Sequence, residues 1–246
     1  MVESTSETNY QQSFKHLTFK PTVTFPHVQG NNSSDNDGIA SNGKLIAMSW
    51  SSTSTVAVFN AEKPRTFDAS VPLIKGHNGV IQDVTWSPFE DRLLATCADD
   101  GKAKFWVFDD YDGLTKPNEH LMECDLELDA HPRKCLSVQW HEACENLLAT
   151  HSVDRTIKVW DIHEDRADEA AITFTDMPDF ATSIRWSPDG KMIAGMCKNK
   201  SMVLFDPRLE SSAIKSTTHQ GPRQQRVQWT DDMTLITSGF DREAKR

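Results

Sequence analysis

His77-Asn-Gly-Val-Ile-Gln-Asp-Val-Thr-Trp86-Ser-Pro-Phe-Glu-Asp-Arg-Leu-Leu-Ala-Thr96-Cys-Ala-Asp-Asp100-Gly-Lys-Ala-Lys-Phe-Trp106 is followed, 54 residues on, by His131-Pro-Arg-Lys-Cys-Leu-Ser-Val-Gln-Trp140-His-Glu-Ala-Cys-Glu-Asn-Leu-Leu-Ala-Thr150-His-Ser-Val-Asp154-Arg-Thr-Ile-Lys-Val-Trp160. Each stretch holds three short apolar runs: one ending at Trp86 or Trp140, one ending near Thr96 or Thr150, and one ending at Trp106 or Trp160. The runs are rich in β-branched and aromatic residues. Polar turns such as Asp99-Asp-Gly101 and Val153-Asp-Arg155 separate them, the pattern of antiparallel strands.

Outward from these units, the tryptophan-terminated run recurs as Leu45-Ile-Ala-Met-Ser-Trp50, Thr182-Ser-Ile-Arg-Trp186-Ser-Pro188 and Gln225-Arg-Val-Gln-Trp229-Thr230. From Trp86 onward these tryptophans are 54, 46 and 43 residues apart, close to the ~40–45 of one propeller blade. No stretch keeps a 3.6-residue apolar stripe. One small sheet cannot bury both its faces, whereas sheets stacked radially bury them against each other. The expected fold is all-β, a β-propeller of about five blades. Thr237-Ser-Gly-Phe-Asp-Arg-Glu-Ala-Lys-Arg246 stops before the strand that completes its blade, so the ring is expected to be incomplete. Residues 1–12 are polar and expected to be disordered, and 13–246 form the partial propeller, truncated within a blade.

Composition narrows the function classes. A net charge of −10 argues against the general basic face of a nucleic-acid binder. The 5 cysteines are odd in number, dispersed and without a Cys-x-x-Cys pair, which suits a reducing compartment. No apolar run approaches the ~18 residues of a membrane span, and none near Met1 resembles a signal peptide. A cytoplasmic protein is expected.

His77, Thr96, Asp100 and Trp106, and again His131, Thr150, Asp154 and Trp160, resemble the hydrogen-bonded tetrad of WD-repeat blades. A catalytic dyad in each unit is the rival reading. Recurrence in consecutive units favours a structural role, since a buried polar chain specifies strand register only when every member is satisfied. The following unit carries Gly195, Asn199 and Phe205 at the matching places and is expected to rely on packing.

Finer motifs are Ser13-Phe-Lys-His-Leu17, Gly76-His-Asn-Gly-Val80, Asp206-Pro-Arg208 after Val203-Leu-Phe205, and Thr237-Ser-Gly-Phe240. In their order and spacing they resemble coronins, WD-repeat actin-binding proteins. Ser87-Pro-Phe-Glu-Asp-Arg-Leu-Leu-Ala-Thr96 is especially similar to the long, tandem-propeller class. The resemblance spans residues 13 to 241. It implies a non-enzymatic scaffold that binds actin filaments and organises the cytoskeleton at the cell cortex, with other cytoskeletal or trafficking partners. The alternative is a WD-repeat adaptor for membrane trafficking or ubiquitin-ligase assembly without actin. Two family features are missing: Val28-Gln29 stand where coronins carry a filament-contacting arginine, and no coiled-coil heptads follow.

Three further constellations carry both a functional and a structural reading. Gly38-Ile-Ala-Ser-Asn-Gly43-Lys44 has the glycine and lysine spacing of a phosphate loop, but Leu45 replaces the Ser or Thr and opens a strand, so a hairpin turn is expected. His131, Cys135, His141, Cys144 and His151 crowd together, yet blade positions account for them better than zinc. No nucleophile sits at a recognisable spacing from a base, so neither catalysis nor a cofactor is expected. Lys198, Lys200, Arg223 and Arg226, with Arg242, Lys245 and Arg246 beyond them, are the candidate partner-binding cations.

Overall fold

A computed structural model describes residues 25–31, 38–63, 67, 70–116, 119–163, 167–209, 212–217, 219, 221 and 224–239. They form five sheets with every strand pair antiparallel. The first holds β1 (Ile39–Ser41), β2 (Leu45–Ser49) and β3 (Val56–Asn60). The second holds β4 (Ile81–Trp86), β5 (Leu93–Ala98), β6 (Ala103–Val107) and β7 (Leu126–Leu128). The third holds β8 (Cys135–Trp140), β9 (Leu147–Ser152), β10 (Ile157–Asp161) and β11 (Ile172–Phe174). The fourth holds β12 (Ala181–Trp186), β13 (Ile193–Cys197), β14 (Ser201–Phe205) and β15 (Ser212–Thr217), and the fifth β16 (Arg226–Trp229) and β17 (Leu235–Ser238). Strands follow chain order within each sheet, and the first strands β1, β4, β8, β12 and β16 pack against one another in succession. That is a β-propeller, its first strands innermost.

One alignment is corrected. The run ending at Trp50 is β2, a second strand lying between β1 and β3, so it matches Leu93–Ala98 rather than Ile81–Trp86. The innermost strand of the first sheet is Ile39–Ser41, part of the supposed phosphate-loop motif. A terminal tryptophan marks an apolar run, but pairing partners assign its place in the sheet. The short outer strands β7 and β11 and the longer β15 were not distinguished in the sequence at all.

The core lies between sheets. Leu45, Val56 and Val58 of the first sheet cluster with Ile81, Val84, Trp86, Leu94 and Trp106 of the second. Phe105 and Leu128 meet Val138, Trp140, Leu148 and Trp160 across the next seam, and Ile157 and Phe174 meet Ile184, Trp186, Ile193 and Phe205 across the one after. Fully burying one such side chain stabilises the fold by about 1.5–3 kcal/mol. The motif around Lys44 is a hairpin turn: Asn42 Oδ1 accepts the Lys44 and Leu45 N–H groups at 2.9 and 2.7 Å. The Lys44 ammonium pairs with Asp91 at 2.7 Å.

Antiparallel order determines which loops share a face. The loop entering each first strand and the turn joining the second strand to the third emerge at the same end of the sheet. That end carries the site.

Candidate binding face

In the second sheet His77 Nδ1 lies 3.0 Å from Asp100 Oδ2, His77 Nε2 lies 2.9 Å from Thr96 Oγ1, and Trp106 Nε1 donates to Thr96 Oγ1 at 2.9 Å. The third sheet repeats the chain: His131 to Asp154 at 3.0 Å, His131 to Thr150 at 2.8 Å and Trp160 to Thr150 at 2.9 Å. One proton assignment satisfies both chains: indole N–H to hydroxyl oxygen, hydroxyl to imidazole Nε2, imidazole Nδ1–H to carboxylate. Burial pushes the Asp100 carboxyl up, but hydrogen bonds from His77 and from the Asn78 and Lys102 N–H groups outweigh it and hold the pKa at about 2. Burial depresses His131, with Asp154 only partly opposing it. In the fourth sheet Phe205 is fully buried, its ring 4.8 Å from Phe174, and Gly195 faces Ile157, so aromatic packing occupies the tetrad's place.

The tetrad aspartate sits in the turn between second and third strands, and the residue after it takes a left-handed backbone. That residue is Gly101 (φ 78°) in the second sheet, Arg155 (φ 69°) in the third, and Lys200 (φ 73°), after Asn199, in the fourth. Gly101 has no alternative, because a Cβ there would lie 2.2 Å from the His131 carbonyl oxygen. At Arg155 and Lys200 a cation occupies a backbone region that favours glycine.

Arg155 lines an open recess of about 860 Å³ on this face, with Arg133, Lys134, Lys198, Val153, Phe180, Asp99 and Asp179. Lys134 pairs with Asp99 at 2.5 Å, and Lys198 Nζ lies 5.0 Å from the Phe180 ring centre. Arg133 and Arg155 are exposed and pair with no carboxylate among the described residues.

The structure thus divides the expected cations. Lys198 reaches the recess, and Lys198 and Lys200 share a smaller adjoining cavity of about 130 Å³ with Phe180, Gln224 and Gln225. Arg226, on β16, lies instead on the polar inner seam with Asp83, Ser137, His151 and Arg185. Arg223 falls outside the described residues, as do Arg242, Lys245 and Arg246. Arg133, Lys134 and Arg155 were missed. Their positions two and three residues after His131 and one after Asp154, on the loops of the tetrad, were the available signal.

The histidine and cysteine group is also dispersed among separate tasks. His131 belongs to the tetrad. Buried His141 donates from Nε2 to the Gly190 carbonyl at 3.0 Å and accepts the Ala143 and Cys144 N–H groups. Cys135 is buried and Cys144 exposed. Among the described residues no three His, Cys, Asp or Glu side chains converge on a metal-sized site, and no helix is long and apolar enough to cross a membrane.

Comparison with known proteins agrees with this architecture. The model of the WD domain, G-beta repeat, matches residues 69–107 and 122–161, the segments carrying the two tetrads. The coronin-like protein of Saccharomyces cerevisiae is 30% identical over 224 residues, 88% of this chain. Human coronin-7 is 29% identical over 216 residues, 86% of this chain. The crystal structure of the WD40 domain of Toxoplasma gondii coronin superimposes with a TM-score of 0.78 at 23% identity, over 88% of this chain and 56% of that one.

Over most of its length the chain is similar to coronins.

It spans 34% of the yeast relative and 22% of human coronin-7. In this chain Asp206-Pro-Arg208 is a local clasp after β14: the Arg208 guanidinium donates to the Asp206 carboxylate from Nε at 2.8 Å and from Nη2 at 2.5 Å, holding the Asp206 pKa at about 2. Val28 and Gln29 are both exposed.

Proposed function

We propose that this chain is a non-enzymatic scaffold that binds actin filaments and acts in the cytoplasm at the cell cortex. The likeness to coronin-like proteins carries the reading, because it runs across nearly the whole chain rather than one repeat. The tetrads act in it as structural pins: both histidines are buried, and each partner in the chain is committed to another. The loop face supports it electrostatically. In a chain of net charge −10, four cations are gathered on one recess, a surface that attracts an acidic filament.

Co-sedimentation with actin filaments at low and physiological salt tests the proposal. Binding that weakens as salt rises is expected, since exposed charges are screened. Absence of binding at both salt concentrations rejects it. The adaptor reading, for trafficking or ubiquitin-ligase assembly, draws on a different observation, the concavity of the recess, which suits a peptide better than a flat filament surface.

A further inference from the structure

We infer that the recess between Arg133, Arg155 and Lys198 is a docking site for a phosphorylated peptide segment. The inference goes beyond filament binding and does not depend on it.

Three observations converge. First, charge: the lining brings Arg133, Lys134, Arg155 and Lys198 against Asp99 and Asp179, an excess of two positive charges. A phosphorylated side chain carries about −1.5 to −2 at pH 7, which matches that excess, whereas a single carboxylate does not. Second, availability: Asp99 is engaged by Lys134, while Arg133 and Arg155 have no carboxylate partner among the described residues. Guanidinium groups left free at a concave rim are the fork-shaped donors that bind phosphate oxygens in pairs. Third, placement: Arg155 holds a left-handed backbone at the position where the preceding blade uses Gly101. The propeller turn does not require arginine there, and a strained residue kept where glycine would relax it points to a use outside the fold.

The surroundings select the class of partner. Asp99 and Asp179 in the lining, with the overall negative charge, disfavour a nucleic-acid backbone. None of the exposed large apolar residues among those described borders the recess, so it offers no wedge for a lipid surface. An open recess of about 860 Å³ whose lining includes Val153 and Phe180 admits several residues of chain around one phosphate.

The test uses the whole chain and three fluorescent peptide pools with identical randomised flanks, centred on phosphoserine, serine or glutamate. Fluorescence anisotropy is expected to show at least about tenfold tighter binding of the phosphoserine pool than of either other pool, with inorganic phosphate competing. Arg155→Gly keeps the turn geometry seen at Gly101 and is expected to weaken binding at least about fivefold without loss of folding; Arg133→Gln is expected to do the same. Lys191→Gln, in the turn between β12 and β13 on the opposite face, should leave affinity unchanged. Equal binding of the three pools, or phosphopeptide binding indifferent to Arg155→Gly and Arg133→Gln, overturns the inference. So does binding to phosphoinositide vesicles without binding to the peptide pools. Filament co-sedimentation run beside these assays reports separately on the proposed scaffold function, so either reading fails without the other.

Discussion

At Asp154 and Asp100 the same residue type serves the same geometry with different reserves. Asp154→Ala removes the acceptor of His131 Nδ1–H, but Thr156 Oγ1, 3.1 Å from that nitrogen, remains within reach. Asp100 has no such substitute beside it and also accepts the Asn78 and Lys102 N–H groups at 3.0 and 3.1 Å. We expect Asp154→Ala to cost about 1–3 kcal/mol and Asp100→Ala to cost more, read as denaturant midpoints at constant m-value. Equal and negligible losses would exclude a structural role for the tetrads. His151 makes a different prediction. It is fully buried, and burial first, then the neighbouring His131 and Arg185 charges, depress its pKa to about 3, against a weaker opposing contact from the Ala181 backbone. The unfolded chain therefore binds a proton that the folded one refuses. This contribution to stability is fully present above the ordinary histidine pKa of about 6.5 and is lost as pH falls toward 3. His131 adds to it in the same direction. His151→Leu should flatten the fall in melting temperature between pH 6.5 and 4, and an unchanged slope would remove His151 from this account.

Among the elements, the innermost strands β4, β8, β12 and β16 end in a tryptophan, and three of these tryptophans reach back across a seam. Trp86 Nε1 donates to the Ala40 carbonyl at 3.3 Å, Trp186 to Gln139 at 3.2 Å and Trp229 to Arg185 at 3.2 Å. Every acceptor is on the innermost strand of the preceding sheet, one residue before the tryptophan position, which is Ser41 in β1. This latch explains why the run ending at Trp50 misleads: Trp50 ends a second strand and takes no part in the series. Trp140 breaks the pattern, because its indole N–H is buried without an acceptor while its ring packs edge-on against Phe105 at 5.8 Å. Replacement by phenylalanine removes the N–H while retaining an aromatic ring. Trp186→Phe should therefore cost about 0.5–1.5 kcal/mol more than Trp140→Phe, measured by equilibrium unfolding. The reverse order would show that the latch bonds contribute nothing net.

In the whole molecule, stability is transmitted from sheet to sheet. Beyond the apolar seams, buried Asp83 of the second sheet accepts the Ser137 hydroxyl at 2.6 Å and the Val138 N–H at 3.2 Å from the third. Thr182 of the fourth donates to the Gln225 carbonyl beside the fifth at 3.1 Å. A stack of this kind has an energy close to a sum of single-sheet and nearest-neighbour terms. The third sheet packs against described neighbours on both sides, whereas the two strands of the fifth pack on the fourth alone among the described residues. Native-state hydrogen exchange of this chain should be slowest in β8 and β9 and fastest in β16 and β17. Uniform exchange across all five sheets would mean that the stack unfolds as one unit.

Strand chemistry, blade period and the tetrads were legible in the sequence because they are local. Apolar runs, turn residues and a 54-residue recurrence each report on a short segment, and the recurrence multiplies the signal. The outer strands β7 and β11 were not legible, since with three residues each they have too little pattern to distinguish from loop. Nor was the role of Ile39–Ser41, which depends on the strand it pairs with and on the Trp86 indole 46 residues away. The recess was the least visible. Arg133, Arg155 and Lys198 belong to three loops, unremarkable one at a time, and antiparallel order around the propeller alone brings them to one rim. Residue spacing along a strand decides what a blade can bury. Which charges meet at its end is decided by how neighbouring blades stack, and that is a property of the tertiary structure.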